Sequence, residues 1–413
     1  MITVKGVGFL IVALLVYLLA RLTQVGWLYL ADSILWGIIL LSAIMPWLGV
    51  VFLKAQRRLD YSGVAVGRAG PAEGEAVKIE LTLGNRAWWP RFFLSASYHC
   101  SLAPPDRRLR RFFVSKLPGS GAVPLTTEVV AYQRGQQQLG PLVVESSAPF
   151  TLFRRRVRLE EARPVLVYPQ VYPLQRLALV DGLAGAAAQS QKSRSGLEPV
   201  GSRPYVPGDP RRYIHWRNTA RMGRPMVKEF EDPRDQTLHL LFDATREWGE
   251  DRETTLEYAI KVVASVADYA RRNRVGSRIW GGLQCEVSSA ADHGGVPWPQ
   301  ILRQLALLSP GAGEGLAPAL KRLPPGASAL AVVAAPDQPG IEALVRAAPR
   351  LRRLVVVLLD GFDPADSGEA ALQKLAPARI PLARCRPGQL WETLQGLNQV
   401  GEPLLERMKA GQP

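Results

Sequence analysis

The chain has 413 residues, of which 47% are hydrophobic and 21% are charged, so a disordered or fibrous protein is excluded. This length is enough for two or three domains, each with its own core. Lys and Arg number 51 against 36 Asp and Glu, and the formal charge of +15 favours an anionic membrane surface, an acidic protein or nucleic acid as partner.

Residues 1–58 predict a hairpin of two transmembrane helices. Residues 2–22 carry only two charges, residues 34–53 carry none, and each run has the length of about 20 residues that crosses a bilayer as a helix. The alternative is a cleaved signal peptide followed by one anchor. No small-residue cleavage pattern follows the first run, and a second span begins almost at once, so we favour the hairpin.

Basic residues flank the predicted hairpin on one side. Lys5 precedes the first span, and Lys54, Arg57 and Arg58 follow the second, whereas the connecting loop carries Asp32. By the positive-inside rule both termini are cytoplasmic, in a multi-pass protein of the cell inner (plasma) membrane.

Residues 59–172 alternate apolar and polar side chains with period two, the pattern of half-buried strands. Glycine and proline clusters separate the runs, which is typical of an antiparallel β-sandwich-like domain. The predicted strands are 77–83, 92–98, 109–114, 125–132 and 139–145.

Residues 173–196 are rich in Ala, Gly, Ser and Gln and predict a flexible linker. Residues 197–413 then alternate buried strands with amphipathic helices, which predicts a mainly parallel α/β sheet covered on both faces. Strands are predicted at 237–243, 278–283, 330–335 and 354–360, and helices at 252–274, 300–308, 341–346 and 389–408. The fold class is therefore α+β multidomain.

Motifs for several kinds of chemistry are missing from the sequence. There is no phosphate-binding P-loop and no dinucleotide glycine fingerprint. The three cysteines and four histidines have no spacing suited to zinc, and the odd, scattered cysteines favour a reducing compartment. The sequence gives no support for a catalytic Ser/His/Asp triad.

Asp243, Asp337 and Asp360 each follow a predicted buried strand. Ligands of open α/β sheets bind at the carboxyl ends of the strands, where such acids could hold Mg²⁺. The simpler interpretation, which we favour on the residues alone, is that these acids cap the following helix or turn.

The densest polar stretch is 203–231, which interleaves arginines with aromatic residues around a tight Pro-Gly-Asp-Pro turn. One interpretation is a structural clasp in which the arginines pair with Asp209, Glu229 and Glu231. A second is a docking surface for an acidic partner, and a third is a single-strand nucleic-acid groove. We expect structural roles for Tyr205, Asp209, Trp216 and Arg221. We expect binding roles for Arg211, Arg212 and Arg217, because the arginines of this stretch outnumber the nearby acids that could pair with them.

This stretch closely resembles the signature of the bacterial family known as domain of unknown function 58. The family pattern is Arg-x-Tyr-x-x-Gly-Asp, then Arg, a hydrophobic residue and Trp, then Ala-Arg-x-Gly, and similar landmarks occur upstream at 133–141, 149–153 and 167–169. The candidate partner-binding or structural motif comprises Arg203, Tyr205, Gly208, Asp209, Arg211, Arg212, His215, Trp216, Arg217, Ala220, Arg221 and Gly223.

The resemblance implies an α/β domain of the von Willebrand factor type A-like, Rossmann-like kind, and a MoxR-type AAA ATPase as partner. No enzymatic activity is established for the family. Its adhesion-type metal site would use Asp243, Thr245 and Asp337 here, but Glu247 replaces a hydroxyl ligand, so Mg²⁺ is disfavoured and no other cofactor is implied.

The resulting hypothesis is a membrane-anchored, non-enzymatic interaction protein. Its rivals are a metal-dependent hydrolase that uses Asp243 and Asp337 with an activated water, and nucleic-acid binding through the basic surface. The absence of a general base disfavours the hydrolase, and nucleic-acid binding rests on net charge alone.

Overall fold

The structure is a computed structural model that describes residues 1–61, 68–185, 201–206, 209, 211–229, 237–281, 285–287, 296–365 and 368–397. The chain divides into two compact units, 1–168 and 169–413. The first unit therefore joins the apolar helices and the β domain, which the sequence had suggested were separate.

The first unit begins with two long apolar helices, α1 (Val4–Thr23) and α2 (Gly26–Val50). Both are long and apolar enough to cross a membrane, as predicted. Helix α2 starts eight residues before the predicted span, because the apolar run continues back through the connection despite Asp32. Pro46 lies inside α2 without ending it, a position that long apolar helices tolerate.

The start of α1 and the end of α2 contact the same end of the β domain. Thr3 donates its backbone N–H to the Leu152 carbonyl at 2.9 Å, and its hydroxyl accepts from the Gly6 amide at 3.1 Å, which caps α1. Gly49 packs so closely on Ser146 that a Cβ there would lie 2.7 Å from the serine hydroxyl. The two helices are thus antiparallel, with both outer ends at the β domain.

The β domain consists of antiparallel strands around one core. A three-stranded sheet has the order β1-β2-β5, a four-stranded sheet has the order β4-β3-β7-β8, and β6 pairs with β9. Apolar residues from all three groups, among them Ile79, Leu94 and Val165, share one buried cluster. The strands are β1 (Leu53–Asp60), β2 (Ala76–Asn85), β3 (Arg91–His99), β4 (Leu109–Leu117), β5 (Ala122–Val130), β6 (Gly135–Leu139), β7 (Leu142–Ser146), β8 (Arg155–Glu160) and β9 (Arg163–Val167).

Two details of this domain differ from the sequence prediction. The predicted strand 139–145 is two strands that break at Gly140 and Pro141, because proline has no N–H for a sheet ladder. The domain also begins at Leu53 rather than residue 59. As a result Arg57, expected as a flanking charge, is an inward-facing residue of β1 that is 4% exposed.

The second unit is built on a six-stranded sheet of order β16-β15-β12-β17-β18-β19. All neighbours are parallel except β16, which is antiparallel to β15. The chain moves outwards from β12 to one side and from β17 to the other, so the strand order reverses between these two central strands. The strands are β12 (Leu238–Phe242), β15 (Ser277–Trp280), β16 (Cys285–Val287), β17 (Ser328–Ala334), β18 (Arg353–Leu359) and β19 (Leu382–Cys385).

Helices cover this sheet, and smaller strand pairs lie outside it. The helices are α3 (residues 178–185), α4 (Trp216–Met222), α5 (Thr255–Arg272), α6 (Trp298–Leu307), α7 (Leu316–Lys321), α8 (Gln338–Ala347), α9 (Glu369–Leu375) and α10 (Leu390–Gly396). The pairs are β10 (Gly201–Pro204) with β11 (Met226–Glu229), and β13 (Gly249–Glu250) with β14 (Glu253–Thr254). The described part of the chain thus confirms a parallel α/β sheet.

The predicted flexible linker 173–196 is partly ordered structure. Leu177, Val180 and Leu183 are buried, and Asp181 accepts a hydrogen bond from the Tyr269 hydroxyl at 2.8 Å. The Ala-rich composition of this segment predicted a linker, and the spacing of these three apolar residues, which is that of one helix face, was overlooked. The remainder of the predicted linker, from residue 186, lies outside the described residues, as does the predicted last helix beyond residue 397.

Candidate functional site

The arginine-rich motif forms a small structure on the β10–β11 pair. The strands pair antiparallel from Gly201 opposite Glu229 to Pro204 opposite Met226. The segment between them returns through a 3-10 turn, Arg211–Tyr213, and the short helix α4. The His215 amide donates to the Met226 carbonyl at 2.7 Å, so the start of α4 is fixed to β11.

Asp209 is held by Arg203 and closes the turn of the motif. Arg203 donates to both carboxylate oxygens, at 2.7 and 2.8 Å, which is the two-pronged arrangement suited to a guanidinium. The Val206 amide donates to the same carboxylate at 3.0 Å. The Arg203 hydrogen bonds, followed by the Val206 amide, hold the pKa of Asp209 below its usual value. This acid is therefore already paired within the motif.

His215 and two polar neighbours fix the inner face of α4. The His215 Nδ1 accepts from the Asn218 amide at 3.2 Å, which caps the helix, and the Asn218 side chain donates to Ser202 at 2.7 Å. The Thr219 hydroxyl accepts from the Met226 amide at 2.9 Å. Gly223 ends the helix at φ 66°, a left-handed conformation that glycine adopts without strain.

The outer face of α4 presents cations and large apolar groups to solvent. Trp216 is 71% exposed and Met222 60% exposed. Ala220, Arg217 and Arg221 of α4 are exposed as well, as are Arg211 and Arg224, which lie just outside the helix. In the described part of the chain none of these four arginines forms an ion pair. We call this set the α4 surface: Arg211, Trp216, Arg217, Arg221, Met222 and Arg224.

The structural role expected of Trp216 and Arg221 is not what the structure shows, because both side chains are exposed. The role expected of Asp209 agrees with its contacts, and Tyr205 is half-buried, with its amide donating to the Pro225 carbonyl at 2.9 Å. Gly208 lies outside the described residues. Of Arg212 only the backbone is described, within the 3-10 turn.

A second candidate site lies at the carboxyl ends of the two central strands, where the strand order reverses. Asp243 follows β12 and Asp337 follows β17, so the sheet brings these predicted acids to one edge. Asp243 Oδ1 accepts from the Thr245 amide at 2.7 Å and from its hydroxyl at 2.6 Å. Asp337 caps α8, as the simpler interpretation expected, by accepting from the Gly340 amide at 3.2 Å.

The electrostatics of this edge are mixed. Burial raises the pKa of Asp337, the Gly340 hydrogen bond lowers it, the charge of Asp243 raises it and the nearby Arg246 lowers it. The second oxygen of Asp337 is buried without a hydrogen-bond partner. Glu247 does not complete the set, because its carboxylate accepts from the Thr254 hydroxyl at 2.5 Å.

The predicted ligands form an incomplete set for Mg²⁺, which prefers six oxygen ligands. They supply two carboxylates and one hydroxyl, and Arg246 contributes positive charge beside them. Across the residues that the structure describes, no group of three or more His, Cys, Asp or Glu could hold a metal. Gly315, which the sequence did not single out, borders the site, since a Cβ there would lie 3.6 Å from Asp243.

Asp360, the third acid after a strand, is a buried ion-pair partner. It is 2% exposed and accepts from Arg384 and, at 3.4 Å, from Arg386. Its charge is therefore neutralised on the adjacent strand β19, so we do not group it with Asp243 and Asp337.

Comparison with known proteins supports the family resemblance. Residues 201–337, which contain the motif and both central strands, match the family model described as "Protein of unknown function DUF58". A curated relative, the uncharacterized protein YeaD of Bacillus subtilis strain 168, is 26% identical over 157 residues. This match covers 37% of the chain and 37% of the relative, so the chain spans little more than a third of that protein.

Two of the solved structures that the chain resembles match about 28% of it. The red sea bream transglutaminase is 12% identical over 28% of this chain and 15% of its own, with a TM-score of 0.20. The CARDB domain of a Pyrococcus furiosus protein is also 12% identical, over 28% of this chain and 91% of its own, with a TM-score of 0.20. At these TM-scores neither structure contributes to the argument.

Proposed function

Because residues 201–337 carry the DUF58 signature, we propose that the chain is a membrane-anchored interaction protein without catalytic activity of its own. Helices α1 and α2 anchor it as a hairpin with both termini in the cytoplasm. The α4 surface binds an acidic partner at the inner face of the plasma membrane. The family resemblance suggests a MoxR-type AAA ATPase as that partner, and a von Willebrand factor type A-like character for the α/β unit.

The α4 surface is the observation that carries this proposal. The acid of the motif, Asp209, is occupied by Arg203, and among the side chains that the structure describes the arginines of the α4 surface form no ion pair. The Glu229 side chain and Glu231, which the sequence offered as further partners, lie outside the described residues. Arg217 and Arg221 lie four residues apart on one helix, where like charges repel by about 0.2–0.5 kcal/mol. An acidic partner would relieve this repulsion.

Trp216 adds an apolar anchor to the charged surface. An exposed tryptophan ring beside guanidinium groups is the composition found at the energetic centres of protein interfaces. Asn218 donates to Ser202 and Thr219 accepts from the Met226 amide on the opposite face of α4, so the surface is presented on a fixed support. A fixed support lowers the entropy cost of binding.

We further propose that the second site is not a hydrolytic centre. Asp337 uses one carboxylate oxygen to cap α8, Glu247 accepts a hydrogen bond from Thr254, and the positive charge of Arg246 acts on Asp337. The edge of the sheet is better explained as structural support for the loops that leave β12 and β17.

The partner hypothesis can be tested by co-purification of the full chain from detergent, with bound proteins quantified by mass spectrometry. We expect Arg217→Ala/Arg221→Ala and Trp216→Ala to reduce the bound partner by about tenfold or more, as loss of an interface centre does. The matched control replaces two exposed, unpaired arginines elsewhere in the same unit, Arg350 and Arg379. Equal losses in both pairs would mean that net charge alone attracts the partner and would overturn the proposal.

Two further measurements separate the alternatives. Nuclease treatment before purification should leave the bound protein unchanged, and binding that disappears with it would favour nucleic acid. A reporter fused after Pro413 should be active only in the cytoplasm, and activity on the outer side would contradict the proposed hairpin.

A further inference from the structure

A cluster of exposed aromatic rings lies at the end of the β domain that contacts α1 and α2. Exposed aromatic groups in such number mark an interaction surface rather than ordinary solvent contact. We call this cluster the aromatic patch: Phe52 at 60% exposed, Trp88 at 81%, Phe92 at 47%, Phe93 at 56% and Phe113 at 68%. The ring centroids of Phe93 and Phe113 are 6.3 Å apart.

Hydrogen bonds attach the patch directly to the end of α2. Phe52 follows the last residue of the helix by two positions, and its carbonyl accepts from the Arg86 amide at 3.0 Å. The Arg91 guanidinium donates to the Val51 carbonyl at 2.9 Å. The segment that carries Trp88 and leads into β3 is therefore anchored at the point where the chain leaves α2.

The strand register places Phe92 and Phe93 level with the last turn of α2. Gly49, in that turn, packs against Ser146, and Ser146 is the register partner of Leu94 in β3. Phe92 and Phe93 come just before Leu94, within about 7 Å of Arg91 at the rise of a strand. The polar layer of a bilayer is about 5–8 Å deep on each side of the hydrocarbon core. These rings therefore lie at the depth of the headgroup layer if α2 spans.

Two of the exposed rings are carried by residues with a strained backbone. Phe52 and Phe93 have φ values of 61° and 54°, a left-handed conformation that costs a bulky residue about 1–3 kcal/mol. Successive residues of a strand normally face opposite sides, yet Phe92 and Phe93 are both exposed. Burial of these two rings does not explain the strain, because both are exposed.

Cations surround the patch at the same end of the domain. The residues are exposed, and in the described part of the chain none of them forms an ion pair. They are Lys54, Arg86, Lys116 and Arg155. Lys116 is the register partner of Phe92, and Arg155 is that of Ser146. Aromatic rings beside unpaired cations have the composition of surfaces that bind anionic lipid headgroups.

We propose that the aromatic patch inserts into the headgroup layer of the bilayer that α1 and α2 cross, with the surrounding cations on anionic lipid phosphates. The inference rests on the proposed membrane anchor. Insertion of the patch holds the β domain against the membrane surface, in addition to the attachment that α1 and α2 provide.

The test measures depth by spin labels on the full chain, in nanodiscs of phosphatidylcholine with phosphatidylglycerol. Single cysteines replace Trp88, Phe92 or Phe113, in a chain with Cys285→Ser. Cys100 and Cys385 are buried, which limits their labelling. The quantity compared is the accessibility of each label to oxygen, which enters lipid, relative to a water-soluble nickel complex.

Two residues at the opposite end of the same sheets serve as matched controls. Leu109 and Val130 are 53% and 54% exposed, similar to the patch, and they lie at the far ends of β4 and β5. We expect the patch labels to show an oxygen-to-nickel ratio several-fold above those at Leu109→Cys and Val130→Cys. A thermal melt of each labelled chain confirms that it remains folded.

A label at Leu40→Cys, within α2, separates failure of the patch from failure of the anchor. If the label at Leu40→Cys is lipid-exposed while the patch labels match the aqueous controls, the proposed insertion of the patch is wrong. The proposed membrane anchor is then still supported. Patch labels shielded from both reagents would mean that protein covers the patch, which also overturns the insertion. A water-exposed label at Leu40→Cys would overturn the anchor and this inference with it.

Discussion

Arg203 and Asp209 form a two-pronged ion pair across a turn of five intervening residues, with N–O distances of 2.7 and 2.8 Å. This pair neutralises one arginine and the one described acid of the turn. Asp209 pairs with the arginine of β10, and within the described residues the arginines of α4 form no ion pair. The Arg203–Asp209 pair is one contact of the clasp interpretation, and the exposed arginines of α4 are compatible with the docking interpretation, so both stay predictions.

Asp209→Ala should loosen the turn without unfolding the chain. The carboxylate also accepts from the Val206 amide, so its loss frees that N–H, while the pair itself is solvent-accessible and contributes little to global stability. Hydrogen exchange of a peptide spanning residues 203–211 should become faster, with the melting temperature nearly unchanged. Arg211→Ala is the control and should leave the exchange rate as it is. A large drop in melting temperature would contradict this account.

His239 should make the stability of the α/β unit depend on pH. Its Nδ1 accepts from the Trp280 indole N–H at 3.0 Å, and burial, with a smaller effect of Arg278, lowers its pKa from 6.5 to about 4. The unfolded chain therefore binds more protons between these values. Stability is complete above about pH 6.5 and decreases as the pH falls towards 4, by on the order of 3 kcal/mol.

The variant His239→Asn can accept from the Trp280 indole but cannot gain a proton, so its stability should depend less on pH. The measurement is the melting temperature of the full chain in detergent at pH 7.5 and pH 5. Equal pH dependence in the two proteins would show that His239 is not the responsible group.

Arg57→Ala should strongly destabilise the first unit. The Arg57 guanidinium is fully buried, donates to the Gly140 carbonyl at 3.0 Å and lies 3.4 Å from Glu160. Removing one partner strands a mostly buried charge, at a cost of about 3–5 kcal/mol. The neighbouring Arg58→Ala, at an exposed position, should change the free energy of unfolding by less than about 0.5 kcal/mol. Chemical denaturation of the full chain in detergent measures both, and similar values for the two variants would be unexpected.

Asp337 should behave as a helix cap rather than a magnesium ligand. Asp337→Ala removes the bond to the Gly340 amide and should cost about 1 kcal/mol. Asp337→Asn keeps an acceptor and removes a buried charge next to Asp243, so the chain should be at least as stable as the wild type. Titration calorimetry should show Mg²⁺ binding weaker than about 1 mM. Tight binding that Asp337→Asn abolishes would reinstate the metal site.

Local pattern was enough to identify the longest helices and several strands of this chain, but not its short elements. The uncharged runs predicted α1 and α2, and the continuous apolar run before Asp243 predicted β12 to within a residue at each end. The spacing of apolar residues predicted α5, which begins three residues later than expected because Thr254 caps it at the Glu257 amide. These features depend on residues close in sequence, whose periodicity states which side will be buried.

The family resemblance was also readable from the sequence, since the motif around Arg203 and Trp216 is continuous, and the match over residues 201–337 confirms it. The same stretch could not say which of its charges were neutralised. Ion pairing depends on the direction in which a turn orients two side chains, and composition alone does not determine that direction.

The tertiary structure decided the features that depend on distant residues. Strand order brought Asp243 and Asp337 to one edge of the sheet although 93 positions separate them, and the β1 register turned Arg57 from a flanking charge into a buried one. The aromatic patch assembles Phe52, Trp88 and Phe113 from three separate segments through the attachment of β3 to the end of α2. The sequence of a segment directly determines its local hydrophobic periodicity. Long-range pairing of strands and side chains depends on the free energy of the whole packed unit. Only the folded chain therefore shows which surfaces stay exposed and available for binding.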